Sequence, residues 1–177
     1  MRVATAPYAH SKTWTAGELS FEDLVSWLDE PALVKECGGY LLGQLAGGRR
    51  SKSTVLARDA ITLDADAAEA DLPERVADLG VQAICHTTYR STPTDPRYRL
   101  IFPTDRPMEP REYAVAATAL MARLGADQFD PGSAQPERLM FRPSAQDPRY
   151  WRAEVYEGPA LSVDELLIES GETVDYT

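Results

Sequence analysis

Apolar positions along this chain recur at two spacings, and the switch between them marks out its elements. Ser20 with Asp23 opens a segment, Phe21 to Leu28, whose apolar residues Phe21, Leu24, Val25 and Leu28 fall at helical intervals. Tyr40 to Leu45 has strand character, Gly47-Gly48-Arg49-Arg50-Ser51-Lys52-Ser53 is a flexible basic loop, and strand character returns from Thr54 to Leu56. Ile61 to Asp66 reads as a buried strand. Pro73 to Leu79 is a short helix, with Pro in its first turn and Gly80 at its end. Val81 to Tyr89 and Tyr98 to Phe102 are two strands joined by the polar turn from Arg90 to Arg97, and Pro110 to Leu124 is an Ala-rich helix closed by Gly125. Arg138 to Phe141 and Tyr150 to Tyr156 are expected to finish the sheet, and Ser162 with Glu165 caps a last helix.

From residue 60 to residue 142 the order is therefore strand, helix, strand, strand, helix, strand. The expected fold class is α+β: a ferredoxin-like or RRM-like palm (βαββαβ) with an N-terminal α/β extension. Such a plan hosts many functions and assigns none by itself. With 177 residues, 44% of them hydrophobic, the chain is sized for one domain, residues 1–177, with a core of about 14–156. The tail of about 170–177 is expected to be frayed and to lead toward a further domain.

No apolar run is long enough to cross a bilayer and no secretory signal pattern is present, so a cytoplasmic protein without membrane contact is expected. Cys37 and Cys85 have no Cys or His neighbour at zinc-ligand spacing, which argues against zinc and against a disulfide framework. A net charge of −10 excludes a protein that coats nucleic acid by bulk attraction. Cations are nonetheless clustered: Arg49, Arg50, Lys52 and Arg58; then Arg90, Arg97, Arg99, Arg106 and Arg111; then Arg138, Arg142, Arg149 and Arg152. Any phosphate must be held in a local cleft rather than over the whole surface.

The sharpest chemical feature is Leu63-Asp64-Ala65-Asp66 at the end of an apolar run. Strand side chains alternate, so Asp64 and Asp66 share one face roughly 7 Å apart, suited to a hard divalent cation such as Mg²⁺ or Mn²⁺. Asp130, after apolar Phe129, is available as a third carboxylate of a two-metal site. Two adjacent carboxylates repel without metal, so neutralising either one is expected to leave stability unchanged or raised. On the strand after the polar turn, Arg97 and Arg99 point to one face and Tyr98 to the other, an arrangement suited to forking onto phosphate oxygens.

Together, Leu63-Asp64-Ala65-Asp66, then His86 to Thr92, then Pro96-Arg97-Tyr98-Arg99-Leu-Ile-Phe-Pro103, then Phe129-Asp130 and Pro136 to Pro143 resemble the primase-polymerases of the archaeo-eukaryotic primase superfamily. The resemblance is to the phage and prophage type, often fused to a helicase, and runs from about Trp14 to about Tyr156. It implies template-directed nucleotidyl transfer: primers made and extended on single-stranded DNA from nucleoside triphosphates, with two Mg²⁺ or Mn²⁺ ions and no zinc. By position it makes Asp64, Asp66 and Asp130 the catalytic and metal-binding residues. The family's middle motif often ends in a His that contacts the incoming nucleotide. Arg99 stands in that place here, and His86 on the preceding strand is the other candidate. Arg97 and Arg138 join them as nucleotide contacts, and Lys52, Arg50 and Arg142 are candidates for the template. A helicase, fused or in trans, is the implied partner.

Two other readings fit a palm. A rolling-circle nuclease needs a His-hydrophobic-His metal pair, which neither His10 nor His86 can form. A non-catalytic or degenerate nucleic-acid-binding module would favour aromatics where Asp64 and Asp66 stand.

Overall fold

Two antiparallel sheets divide the chain, and the computed structural model describes every residue from Met1 to Thr177. In order, the elements are β1 (Arg2–Ala6), β2 (Thr15–Glu18), α1 (Phe21–Ser26), β3 (Gly39–Leu41), β4 (Gly43–Leu45), β5 (Val55–Ala65) and α2 (Leu72–Asp78). β6 (Ala83–Thr87), β7 (Tyr98–Met108), α3 (Pro110–Leu124), β8 (Met140–Phe141), β9 (Ala153–Tyr156) and α4 (Val163–Ser170) follow. The central sheet runs β4-β5-β7-β6-β9 and the smaller one β2-β1-β3-β8. No helix is long and apolar enough to cross a membrane.

The mixed α/β palm expected from the sequence is present, with two differences in how strands are shared. Tyr40 to Leu45 is one apolar run in sequence but two strands in space. β3 pairs with β1 and β8, and β4 pairs with β5. The chain changes sheets at Leu42, whose carbonyl accepts from Asp59 N at 2.9 Å and from Arg58 Nε at 3.0 Å. Gly43 permits the transfer, since a Cβ there would lie 2.1 Å from the Ala57 carbonyl oxygen. The second difference is that Arg138 to Phe141 does not close the central sheet; Met140 and Phe141 pair with β3 instead. The edge beside β5 is already taken by β4.

Strand alternation sorts the core. Ile61, Leu63 and Ala65 of β5, Cys85 of β6 and Leu100 and Phe102 of β7 face α2, α3 and α4 in a cluster with Tyr113, Leu120 and Leu166. The opposite face carries Ala60, Ile84 and Ile101, which pack on Val3, Leu24, Tyr40 and Met140 of the N-terminal layer. Arg2 joins the layers through Asp59, with Nη2 2.7 Å from Oδ1 and the Arg2 N–H donating to Oδ2 at 2.8 Å. The capping box foreseen at Ser20 and Asp23 opens α1, and Glu109 with Glu112 forms another at α3. Past Ser170 the chain returns to α3, where the Tyr176 hydroxyl donates to Glu112 Oε2 at 2.9 Å.

Candidate active site

At the end of the face that meets the N-terminal layer, apolar residues give way to charge. Asp64 is paired with Arg99 across β5 and β7, and Arg99 with His86 across β7 and β6. Carboxylate, guanidinium and imidazole thus form one lateral row over three strands, all buried: 7%, 9% and 1% exposed. Arg97 and Asp66 lie one alternation further along. The row opens into a cavity of about 530 Å³ whose walls include Asp66, Arg97, Arg138 and Arg142.

Arg99 Nε donates to Asp64 Oδ1 at 2.8 Å and Arg99 Nη1 to the Phe141 carbonyl at 2.6 Å. Burial acts to lower the guanidinium pKa, but Asp64 overrides it and the net shift is upward. Asp64 therefore differs from Asp66: its charge is matched, and neutralising it would strand a buried arginine. Asp66 has no hydrogen-bond partner, and partial burial with repulsion from Asp64 and Asp130 pushes its carboxyl above the usual range.

Asp130 comes close enough to act on the Asp66 carboxyl, but unlike Asp64 and Asp66 it does not line the cavity. Its N–H donates to the Asp64 carbonyl at 2.9 Å, extending the edge of β5, and its carboxylate caps the short turn Pro131–Ala134 through Gly132 N at 2.9 Å. Arg138 Nη2 donates to the other oxygen at 2.7 Å. Burial opposes ionisation, yet Gly132 and Arg138 together hold the Asp130 carboxyl below its ordinary value. Ser133 ties this segment to the strand, its hydroxyl accepting from Asp64 N at 2.9 Å, while the Tyr113 hydroxyl donates to the Ser133 carbonyl at 3.1 Å.

His86 is fully buried. Its Nδ1 is 2.8 Å from the Thr87 carbonyl, so the proton belongs on Nδ1 and Nε2 is left as an acceptor without a partner. Burial, reinforced by Arg99, lowers its pKa to about 4, which keeps the ring neutral near pH 7. Tyr40 supplies a second unpartnered polar atom, and burial pushes its phenol up to about 12.

The basic cluster read around residue 50 separates in space. Arg58 is 1% exposed, without a carboxylate partner. It donates to the carbonyls of Leu42 and Pro136 and lies over the Tyr113 ring at 4.1 Å. Arg50 lines the cavity, but both of its Nη atoms are taken by the carbonyls of Glu137 and Ala9, its guanidinium lies over the Trp14 ring, and its Nε is buried without a partner. Lys52 is exposed on its loop and is not part of the cavity wall. Arg142 stacks over Trp27 at 4.3 Å and borders a second cleft of about 360 Å³. Lys35 and Ser144 also line the main cavity. No sequence motif marks them; only folding of the N-terminal layer over the sheet brings them there.

The donor chemistry suits a hard divalent cation: three carboxylates within mutual electrostatic reach, one of them unpartnered and repelled by the other two. The side chains are not set as a ready cage, since no three His, Cys, Asp or Glu stand at ligating positions and Asp64 and Asp130 each hold a guanidinium.

The fold is similar to that of the "Cyanophage S-2L Primase-Polymerase (PrimPol), AEP domain (PP-N190)", with a TM-score of 0.52 at 12% identity over 94% of this chain and 86% of that one. No curated protein matches the sequence. The family model described as the VapE N-terminal domain matches residues 29–176, a span that takes in β3 to α4 and the whole Asp64–Arg99–His86 row. The match over most of the length places this chain in the VapE N-terminal domain family, with a fold similar to that of a phage primase-polymerase domain.

Proposed function

We propose that this domain is a template-directed nucleotidyltransferase that makes and extends primers on single-stranded DNA. The observation that carries this reading is the Asp64–Arg99–His86 row opening, with Asp66, into one cavity walled by Arg97, Arg138 and Arg142. Carboxylates for a cation and guanidiniums for a triphosphate then face the same space.

Asp64, Asp66 and Asp130 would hold Mg²⁺ or Mn²⁺, which when bound supplies Lewis-acid activation of a primer hydroxyl and of the phosphates. The chain's own residues bind and orient. Arg97, Arg138 and Arg142 offset phosphate charge as the primer 3′-hydroxyl gives its proton to solvent, its oxygen bonds to the α-phosphorus and the bond to the departing pyrophosphate breaks. Arg99 holds Asp64 while keeping its Nη2 unbonded. His86, neutral with a lone pair on Nε2, suits a nucleotide hydroxyl better than a phosphate oxygen. With a net charge of −10, residence on DNA is expected to come from a helicase, fused or in trans, that raises the local concentration of template.

A second reading, a nucleotide-binding or nucleic-acid-binding module without catalysis, is favoured by one observation: Asp64 and Asp130 are already closed in guanidinium pairs. Incorporation of labelled ribo- or deoxynucleotides on primed and unprimed templates decides between them. Activity in the wild type that is abolished in Asp66→Asn, with the melting temperature unchanged in chelator, supports the transferase. Nucleotide binding with Mn²⁺ but no product supports the module.

A further inference from the structure

At the rim of the main cavity, Tyr8 and His10 flank Ala9, which itself lines the wall. Their rings stack, with centroids 5.6 Å apart and planes 14° from parallel. Both residues are exposed, Tyr8 by 55%. The segment that carries them is braced. Ser11 N donates to the Tyr8 carbonyl and Tyr8 N to Ser11 Oγ, each at 3.1 Å, and Trp14 Nε1 donates to the Ser11 carbonyl at 3.1 Å. Arg50 then pins Ala9 to the cavity wall, with Nη2 donating to the Ala9 carbonyl at 3.2 Å and Nη1 to the Glu137 carbonyl at 2.9 Å.

A rigid turn holding two aromatic rings in water gains nothing for the core. It lowers the entropic cost of binding a flat partner. The charge around it selects that partner. The loop following β4 lies against this turn, with Trp14 N donating to the Gly48 carbonyl at 2.7 Å. Lys12, Arg49 and Lys52 are exposed, and neither segment carries a carboxylate, from Val3 to Gly17 or from Cys37 to Arg58, in a chain of net charge −10; Glu137, from a third segment, is the carboxylate that acts on Arg50. Aromatic faces beside a local run of cations match an unpaired, polyanionic strand of bases. An acidic peptide would leave the stacked rings unused.

We propose that Tyr8 and His10 form a base-stacking platform for single-stranded nucleic acid at the mouth of the cavity, with Lys12, Arg49 and Lys52 taking the strand's phosphates. The identification of that strand as template rests on the transferase reading; the platform itself does not. Stacking here is indifferent to base identity, and Arg50 acts as a strut for the platform rather than as a phosphate ligand.

The test uses the full chain, a fluorescein-labelled oligo-dT and anisotropy titrations at several salt concentrations. Tyr8→Ala/His10→Ala should bind roughly tenfold or more weakly than wild type with an unchanged melting temperature, while Tyr8→Phe/His10→Phe keeps the affinity. Lys12→Gln/Lys52→Gln should flatten the salt dependence by about two phosphate contacts. In primer extension the Ala pair should raise the KM for template and not that for nucleotide. Wild-type affinity in the Ala pair, or equal weakness in the Phe pair, would overturn the platform even if polymerase activity is found. Binding that follows these variants in a chain inactive with every nucleotide would overturn the transferase reading and leave the platform standing.

Discussion

Arg99 Nε donates to Asp64 Oδ1 at 2.8 Å from directly paired positions of β7 and β5, with the two side chains 10% and 11% exposed. A buried ion pair of this kind is weak evidence of net stabilisation, but removing one member leaves the other charged and unmatched. The two aspartates of the Asp64-Ala65-Asp66 motif are therefore not equivalent.

Asp64→Asn should cost about 3 kcal/mol by urea denaturation in chelator, and Arg99→Met a similar amount. In the double variant the losses should fall well short of additive, since neither charge is then stranded. Additive losses would mean that the pair is not formed in solution.

Asp66→Asn should behave oppositely. The folded state raises the Asp66 carboxyl, so its charged form is disfavoured above that pKa and the penalty is relieved as pH falls through it. Without metal at neutral pH the Asn variant should be as stable as wild type or slightly more so. Mn²⁺ or Mg²⁺ should raise the melting temperature of the wild type and not of this variant, and the variant should incorporate no nucleotide. A matching cation-induced shift in both proteins would place the cation elsewhere.

His86 sets an acid limit. Its folded pKa of about 4 lies below the ordinary histidine value, so the unfolded chain binds a proton that the folded chain refuses. Stability is complete above about pH 6.5 and falls as pH drops toward 4, by about 3 kcal/mol over the whole window. His86→Gln should remove most of that slope in denaturation curves at pH 7, 5.5 and 4.5. A slope unaffected by the substitution would assign acid sensitivity to other groups.

Arg58 is a buried cation held by carbonyl oxygens and an aromatic face instead of a carboxylate. Arg58→Met should lose about 2–4 kcal/mol, because the Leu42 and Pro136 carbonyls lose donors. Pro136 leads into the segment bearing Arg138, so the apparent KM for nucleotide should also rise. A purely structural role would lower the melting temperature and leave KM unchanged.

Much of this was legible along the chain. The capping box at Ser20, the Pro and Gly that bound Pro73 to Leu79, the long helix from Pro110 and the strand carrying Asp64 all follow from local periodicity and punctuation. Nothing local marks β1 and β2, because Arg2–Ala6 and Thr15–Glu18 are short and rich in Ala, Thr and Gly, with no strong alternation. The split of Tyr40 to Leu45 between two sheets was hidden for a related reason: both halves are apolar, and only the close approach of Gly43 to Ala57 separates them.

The sequence by itself determined which side chains share a face. Period-two alternation commits Asp64 with Asp66 and Arg97 with Arg99 wherever those strands are placed. Register across strands is a property of pairing, so only the tertiary structure decided that Asp64, Arg99 and His86 lie in one row and that Arg99 neutralises Asp64. Burial is likewise a property of the assembled layers. It turned Arg58 from a member of a basic cluster into a core residue, and left Tyr8 and His10, absent from every motif, exposed on either side of Ala9 in the cavity wall.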